Sequence, residues 1–109
     1  LMEICSEWPV GSTTESMKKI FTSKTPSLIL SGQYDPVTPP SYAEQLAANL
    51  ENTLHIVGEG QGHGLISRGC IPKVISDFLE DPILENLKTE CVKHLKPVPF
   101  FVNAYGPSP

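Results

Sequence analysis

Asp35 and His63 are the residues of this chain whose types and setting could do chemistry together. Asp35 follows the apolar run Ser27-Leu28-Ile29-Leu30-Ser31, and His63 lies within Gly60-Gln61-Gly62-His63-Gly64, just past Leu54-His55-Ile56-Val57. A carboxylate that accepts one imidazole N–H steadies the charged ring and leaves the other ring nitrogen to take a proton from a nucleophile and return it to a leaving group. Each residue also has a plainer reading. An aspartate between glycine and proline often bonds its own backbone in a turn, and a loop histidine is often only solvated.

No nucleophile accompanies the pair. GxSxG places glycine two residues to either side of a serine, and no serine here satisfies it; Ser67, in Leu65-Ile66-Ser67-Arg68-Gly69, comes nearest but follows the histidine. Cys70 has no strand before it to form an elbow, and it reads as structural. His55, His63 and His94 are spread without HxxxH or HxH spacing, so no metal site is expected. Started at Gly58 or Gly60, the last glycine of GxGxxG falls on His63 or Leu65, so no dinucleotide cofactor is expected either. His55, inside the second apolar run, reads as a structural or edge residue.

The elements that must position Asp35 and His63 follow from the flanking pattern. Ser27 to Ser31 reads as a short strand, apolar without alternation, as suits a parallel sheet covered on both faces. Asp35 precedes Pro36, which pushes it out of the helical region, so it belongs to a loop rather than a helix cap. Thr38 followed by Pro39 predicts an N-cap and a helix over about 39–50, with Tyr42, Leu46 and Leu50 beside Ala43 and Ala47 as its buried stripe. Leu54 to Val57 reads as a second strand, and the glycine-rich loop 58–64 follows it. Ile71-Pro72 opens a second helix, with Val74, Ile75, Phe78 and Leu79 on its apolar face, ending near Asp81-Pro82. A further helical stretch is expected over about 83–95, with His94 in it.

Three segments result: a loop-rich start over 1–26, an α/β portion over 27–96, and a proline-rich tail over 97–109, expected to lie as an extended strap. Strand, helix, strand, helix with short connections implies parallel strands and a right-handed crossover. Two parallel strands cannot make a covered sheet, so the fold is expected to be incomplete on its own and finished by further polypeptide. An acid after one strand and a histidine after the next is the chain order in which α/β-hydrolases supply the last two members of a Ser…Asp…His triad.

The 109 residues and net charge of −4 fit one small domain with no basic field to favour nucleic acid or an anionic membrane. No apolar stretch approaches the roughly 18 to 20 residues that span a bilayer, and the start at Leu1 has no signal-peptide pattern. Beginning at leucine, the chain is expected to be a processed or truncated product. Cys5, Cys70 and Cys91 form an odd set without CxxC spacing. They read either as free or buried thiols, or as one internal disulfide plus one bond to a missing segment in an oxidising compartment.

Pro26-Ser27-Leu28-Ile29-Leu30-Ser31-Gly32-Gln33-Tyr34-Asp35-Pro36-Val37-Thr38-Pro39-Pro40, together with Gly60-Gln61-Gly62-His63-Gly64 and Gly69-Cys70, resembles the C-terminal region of the tripeptidyl-aminopeptidase-like α/β-hydrolases. Cys5-Ser6-Glu7-Trp8-Pro9 resembles the start of that region. The likeness covers about residues 5–80, with Cys91 and the tail a looser continuation. It implies a serine exopeptidase, secreted or of the periplasm or cell envelope, related to the proline iminopeptidases and releasing short peptides from free N-termini. In that setting Asp35 is the triad acid and His63 the base. The N-terminal part of the same hydrolase supplies the nucleophile and oxyanion hole, a peptide is the substrate, and no cofactor is needed. The resemblance favours pairing Cys70 with Cys91, leaving Cys5 for a missing segment. An esterase or lipase with the same triad, or a noncatalytic hydrolase-like binding domain, are the alternatives.

Overall fold

In the computed structural model, residues 6–7, 11–12, 14–15, 19, 21–97, 99–104 and 106 are described. Cys5 and most of the Cys5–Pro9 motif therefore lie outside the described residues. Two strands form, β1 (Ser27–Gly32) and β2 (Thr53–Gly58), each one residue or two longer than the apolar runs predict. They pair in parallel, Ser27 opposite Thr53 through Gly32 opposite Gly58. A bridge between Ser23 and Leu50 extends the pairing backward. Among the described residues the sheet has these two strands alone, so each pairs along one side only.

Helix α1 (Pro40–Ala47) connects the strands, and α2 (Ile71–Glu80) follows β2. The α1 expectation needs three corrections. Its N-cap is Pro39, not Thr38, and no side chain caps it. Pro39 precedes Pro40 and so stays extended at φ −59° and ψ 152°, which delays the helix by a residue. Its last regular residue is Ala47, because Asn49 and Leu50 make tight bonds to Leu46 and Ala47 while Leu50 is drawn into its bridge with Ser23. The expected buried stripe is open as well, with Tyr42 and Leu46 exposed and only Ala43, Ala47 and Leu50 half-buried.

Side chains of alternate strand residues point to the same face, and here the even positions face the core. Leu28, Leu30 and Leu54 pack against a cluster of Ile56, Leu65, Ile71, Val74 and Leu95. Ile71 and Val74 are its fully buried members, fixing α2 against the sheet; Leu79, expected on that apolar face, is exposed instead. Ile71, about two turns earlier at the helix start, takes the inward place. Residues 83–95 form two short 3₁₀ turns, Leu84–Asn86 and Glu90–His94, rather than a helix. Cys91, Val92 and Leu95 are all drawn to the core, and the two sulfurs of Cys70 and Cys91 stand at disulfide-bonding distance with their Cα atoms 6.3 Å apart. Those anchors pull the segment across the body in one pass. In the described part of the tail, Phe100, Phe101 and Val102 are exposed, and the chain turns back through a bridge between Asn103 and Gly106.

Candidate active site at the carboxyl ends of the strands

Asp35 and His63 sit on the loops that leave the carboxyl ends of β1 and β2, and parallel pairing puts those ends side by side. Three contacts hold the two loops together. The Tyr34 amide donates to the Gln61 carbonyl at 2.9 Å, the Gly60 amide donates to Gln33 Oε1 at 2.8 Å, and Gln33 N–H reaches the Gly58 carbonyl at 3.0 Å. Buried Gln61 ties the histidine loop to the chain after Leu95, donating from Nε2 to the Lys96 carbonyl at 2.7 Å and to the Glu59 carbonyl at 3.2 Å. Just past His63, Gly64 turns the chain at φ 87°, a conformation that a side chain would strain, and so starts the 3₁₀ turn Leu65–Ser67.

The loops bring the two residues into contact. His63 Nδ1 lies 2.8 Å from Asp35 Oδ2. An ionised carboxylate only accepts, so Nδ1 carries the proton and Nε2 is left with its lone pair. The Asp35 side chain is buried to 4% exposure while that of His63 keeps 60%. Among the described residues the imidazole bonds to Asp35 and, at 3.4 Å, to Thr38 Oγ1, and no serine or cysteine joins it.

Asp35 is also the turn former that its neighbours suggested, with its two oxygens dividing the tasks. Oδ1 accepts from the Val37 amide at 2.8 Å and the Thr38 amide at 2.9 Å. Oδ2 accepts from the Thr38 hydroxyl at 2.8 Å as well as from His63. Burial pushes the carboxyl toward its neutral form, but the hydrogen bonds from Thr38, Val37 and His63 outweigh it and hold the group well below the usual carboxylate range. The group is thus a fixed anion beside the ring.

The other candidates stand apart. His55 lies on the odd-numbered face, its Nε2 2.9 Å from the Oγ of buried Ser31, a satisfied structural pair. His94 is exposed in the last 3₁₀ turn. No group of three or more His, Cys, Asp or Glu among the described residues could hold a metal ion. Among them, too, no helix is long and apolar enough to cross a membrane. Sequence reasoning missed Thr38 as a partner of Asp35, having given it to the helix cap; the Asp-Pro-Val-Thr spacing is the available signal, since a hydroxyl three residues past a turn aspartate reaches its carboxylate. Gln33 and Gln61 carried no such signal, because Gln33 is met by Gly60, 27 residues on, and Gln61 reaches Lys96, 35 residues on.

Two parallel strands, each followed by a helix, with a carboxylate and an imidazole joined over their carboxyl ends, define a region of the α/β class. The match to the family model described as TAP-like protein, over residues 1–91, makes the class specific. The chain belongs to that family and is a hydrolase-type α/β region. No curated protein and no solved structure matches it.

Proposed function

We propose that this chain supplies the acid, Asp35, and the base, His63, of a serine hydrolase whose nucleophile and oxyanion hole come from the N-terminal part of the same protein. The observation that carries the reading is the 2.8 Å contact between His63 Nδ1 and a buried, anionic Asp35, with the rest of the imidazole open. In the reaction, His63 Nε2 takes the proton of the incoming serine as it attacks the substrate carbonyl. Asp35 holds the ring and offsets the positive charge that develops on it. The protonated ring then gives its proton to the leaving amine, and a water repeats the sequence to release the acyl group. Among the described residues β1 and β2 each leave one side unpaired, which supports a sheet that continues in further polypeptide.

Membership of the TAP-like family favours a peptide substrate, with short peptides released from free N-termini. The approach of Cys70 to Cys91 favours an oxidising setting outside the cytoplasm. The test uses the full-length protein containing this chain, assayed on aminoacyl and peptidyl arylamides and on short acyl esters. His63→Ala should lower arylamide turnover by roughly three orders of magnitude or more. Near-normal turnover would remove the base from His63, and activity confined to esters would replace the peptidase reading with an esterase.

A further inference from the structure

The hydroxyl of Thr38 touches both members of the pair, and neither the family match nor the acid–base scheme gives it a task. Asp35 Oδ1 is held by two backbone amides, and Oδ2 is the oxygen that faces the histidine. Two donors meet there, His63 Nδ1 and Thr38 Oγ1, each at 2.8 Å. A hydroxyl has one proton and two lone pairs. Its choice lies between an anionic oxygen at 2.8 Å and a ring nitrogen at 3.4 Å, and the short contact to the charged acceptor takes the proton. The hydroxyl oxygen then turns a lone pair, not a proton, toward His63 Nδ1.

We infer that Thr38 is a positioning residue that fixes Asp35 Oδ2 and so reinforces the preference this carboxylate sets for the His63 tautomer with its proton on Nδ1. A proton on Nε2 would put the Nδ1 lone pair against both the carboxylate and the hydroxyl lone pair, whereas a proton on Nδ1 finds an acceptor in each. The hydroxyl thereby keeps Nε2 free for proton transfer without touching the substrate. Thr38 is pre-set for this by its own chain, since its amide already holds Oδ1 and the following Pro39 keeps it out of the helix.

The inference rests on His63 being the base, and the test separates the two. In the full-length protein, Thr38→Val removes the hydroxyl at nearly constant shape; kcat on a peptidyl arylamide should fall about tenfold with KM within about twofold. Nitrogen NMR of the His63 ring should find the Nδ1-protonated tautomer in the wild type and a mixture in the valine variant. Thr38→Ser restores the hydroxyl and should keep both the tautomer and kcat to within about threefold of wild type. Should the valine variant not fold, Thr38→Ala takes its place in both measurements. Wild-type kcat and tautomer in the variant lacking the hydroxyl, with only a lower Tm, would overturn the inference. So would a serine variant as slow as the valine one. If His63→Ala itself keeps full turnover, the base assignment falls and this inference with it; if His63→Ala is inactive while Thr38→Val is normal, only the inference falls.

Discussion

Replacing Gly32 with alanine should separate the two loops that carry the chemistry. Gly32 ends β1 and is buried under the histidine loop. A methyl group there would run into the carbonyl oxygens of Gly62 and Gln61, the latter at 2.7 Å, and into the Gly62 carbonyl carbon at 2.8 Å. All are backbone atoms, so no side chain can swing aside. To reach ordinary contact the loop must back away by about 0.7 Å at Gln61 and further at Gly62, in an interior that resists such shifts. The Tyr34 amide bond to Gln61 oxygen opens by a similar amount, and His63, one residue past Gly62, moves off Asp35. Overpacking of this kind costs about 1 to 3 kcal/mol. A displacement approaching 1 Å at reacting groups costs on the order of 100-fold in rate. The assay is thermal unfolding of the full-length protein together with kcat/KM on a peptidyl arylamide. Gly62→Ala provides the stability control, because a methyl there meets nothing within 4 Å and its Tm should hold. Wild-type Tm in Gly32→Ala would refute the close approach; a lowered Tm with unchanged turnover would refute the link between loop position and proton transfer.

The remaining predictions concern charge and covalent ties. Asp35 ionises more readily when folded than at its ordinary value of 3.8, so its stabilising effect is complete above that pH and lost as pH falls toward the lower folded value. Asp35→Asn should therefore flatten the pH dependence of stability between about pH 4 and 2, read by urea unfolding across that window; an unchanged slope would count against the depressed carboxyl. Cys70 and Cys91, 21 residues apart, should appear linked in a nonreducing peptide map, and replacing both with alanine should cost about 3 kcal/mol of stability. Free thiols at both positions would remove the argument for an oxidising compartment.

Where local pattern was enough, the sequence was a good guide. The runs at 27–31 and 54–57 are the cores of the two strands, Ile71-Pro72 opens α2, and Asp81-Pro82 closes it. The errors fall where distant contacts compete with local preference. The stripe of Tyr42 and Leu46 has helical spacing, but spacing alone does not supply a partner surface, and the described residues leave it exposed. Thr38 has the chemistry of a cap, yet Pro39 ahead of Pro40 stays extended and starts the helix a residue later, while the Thr38 hydroxyl and amide both donate to Asp35. Residues 83–95 have enough apolar positions for a helix, but the pull of Cys91 toward Cys70 and of Leu95 into the core draws them out into 3₁₀ turns.

The sequence by itself determined the α/β class, the order of acid and histidine, and membership of the TAP-like family, because residue types and their local spacing carry all three. Only the tertiary structure decided that Asp35 meets His63 through Nδ1, that the Thr38 hydroxyl touches both, and that Gln33 and Gln61 lock their loops. Those contacts join residues up to 35 positions apart along the chain. Their geometry comes from the parallel register of β1 and β2, which no window of sequence contains.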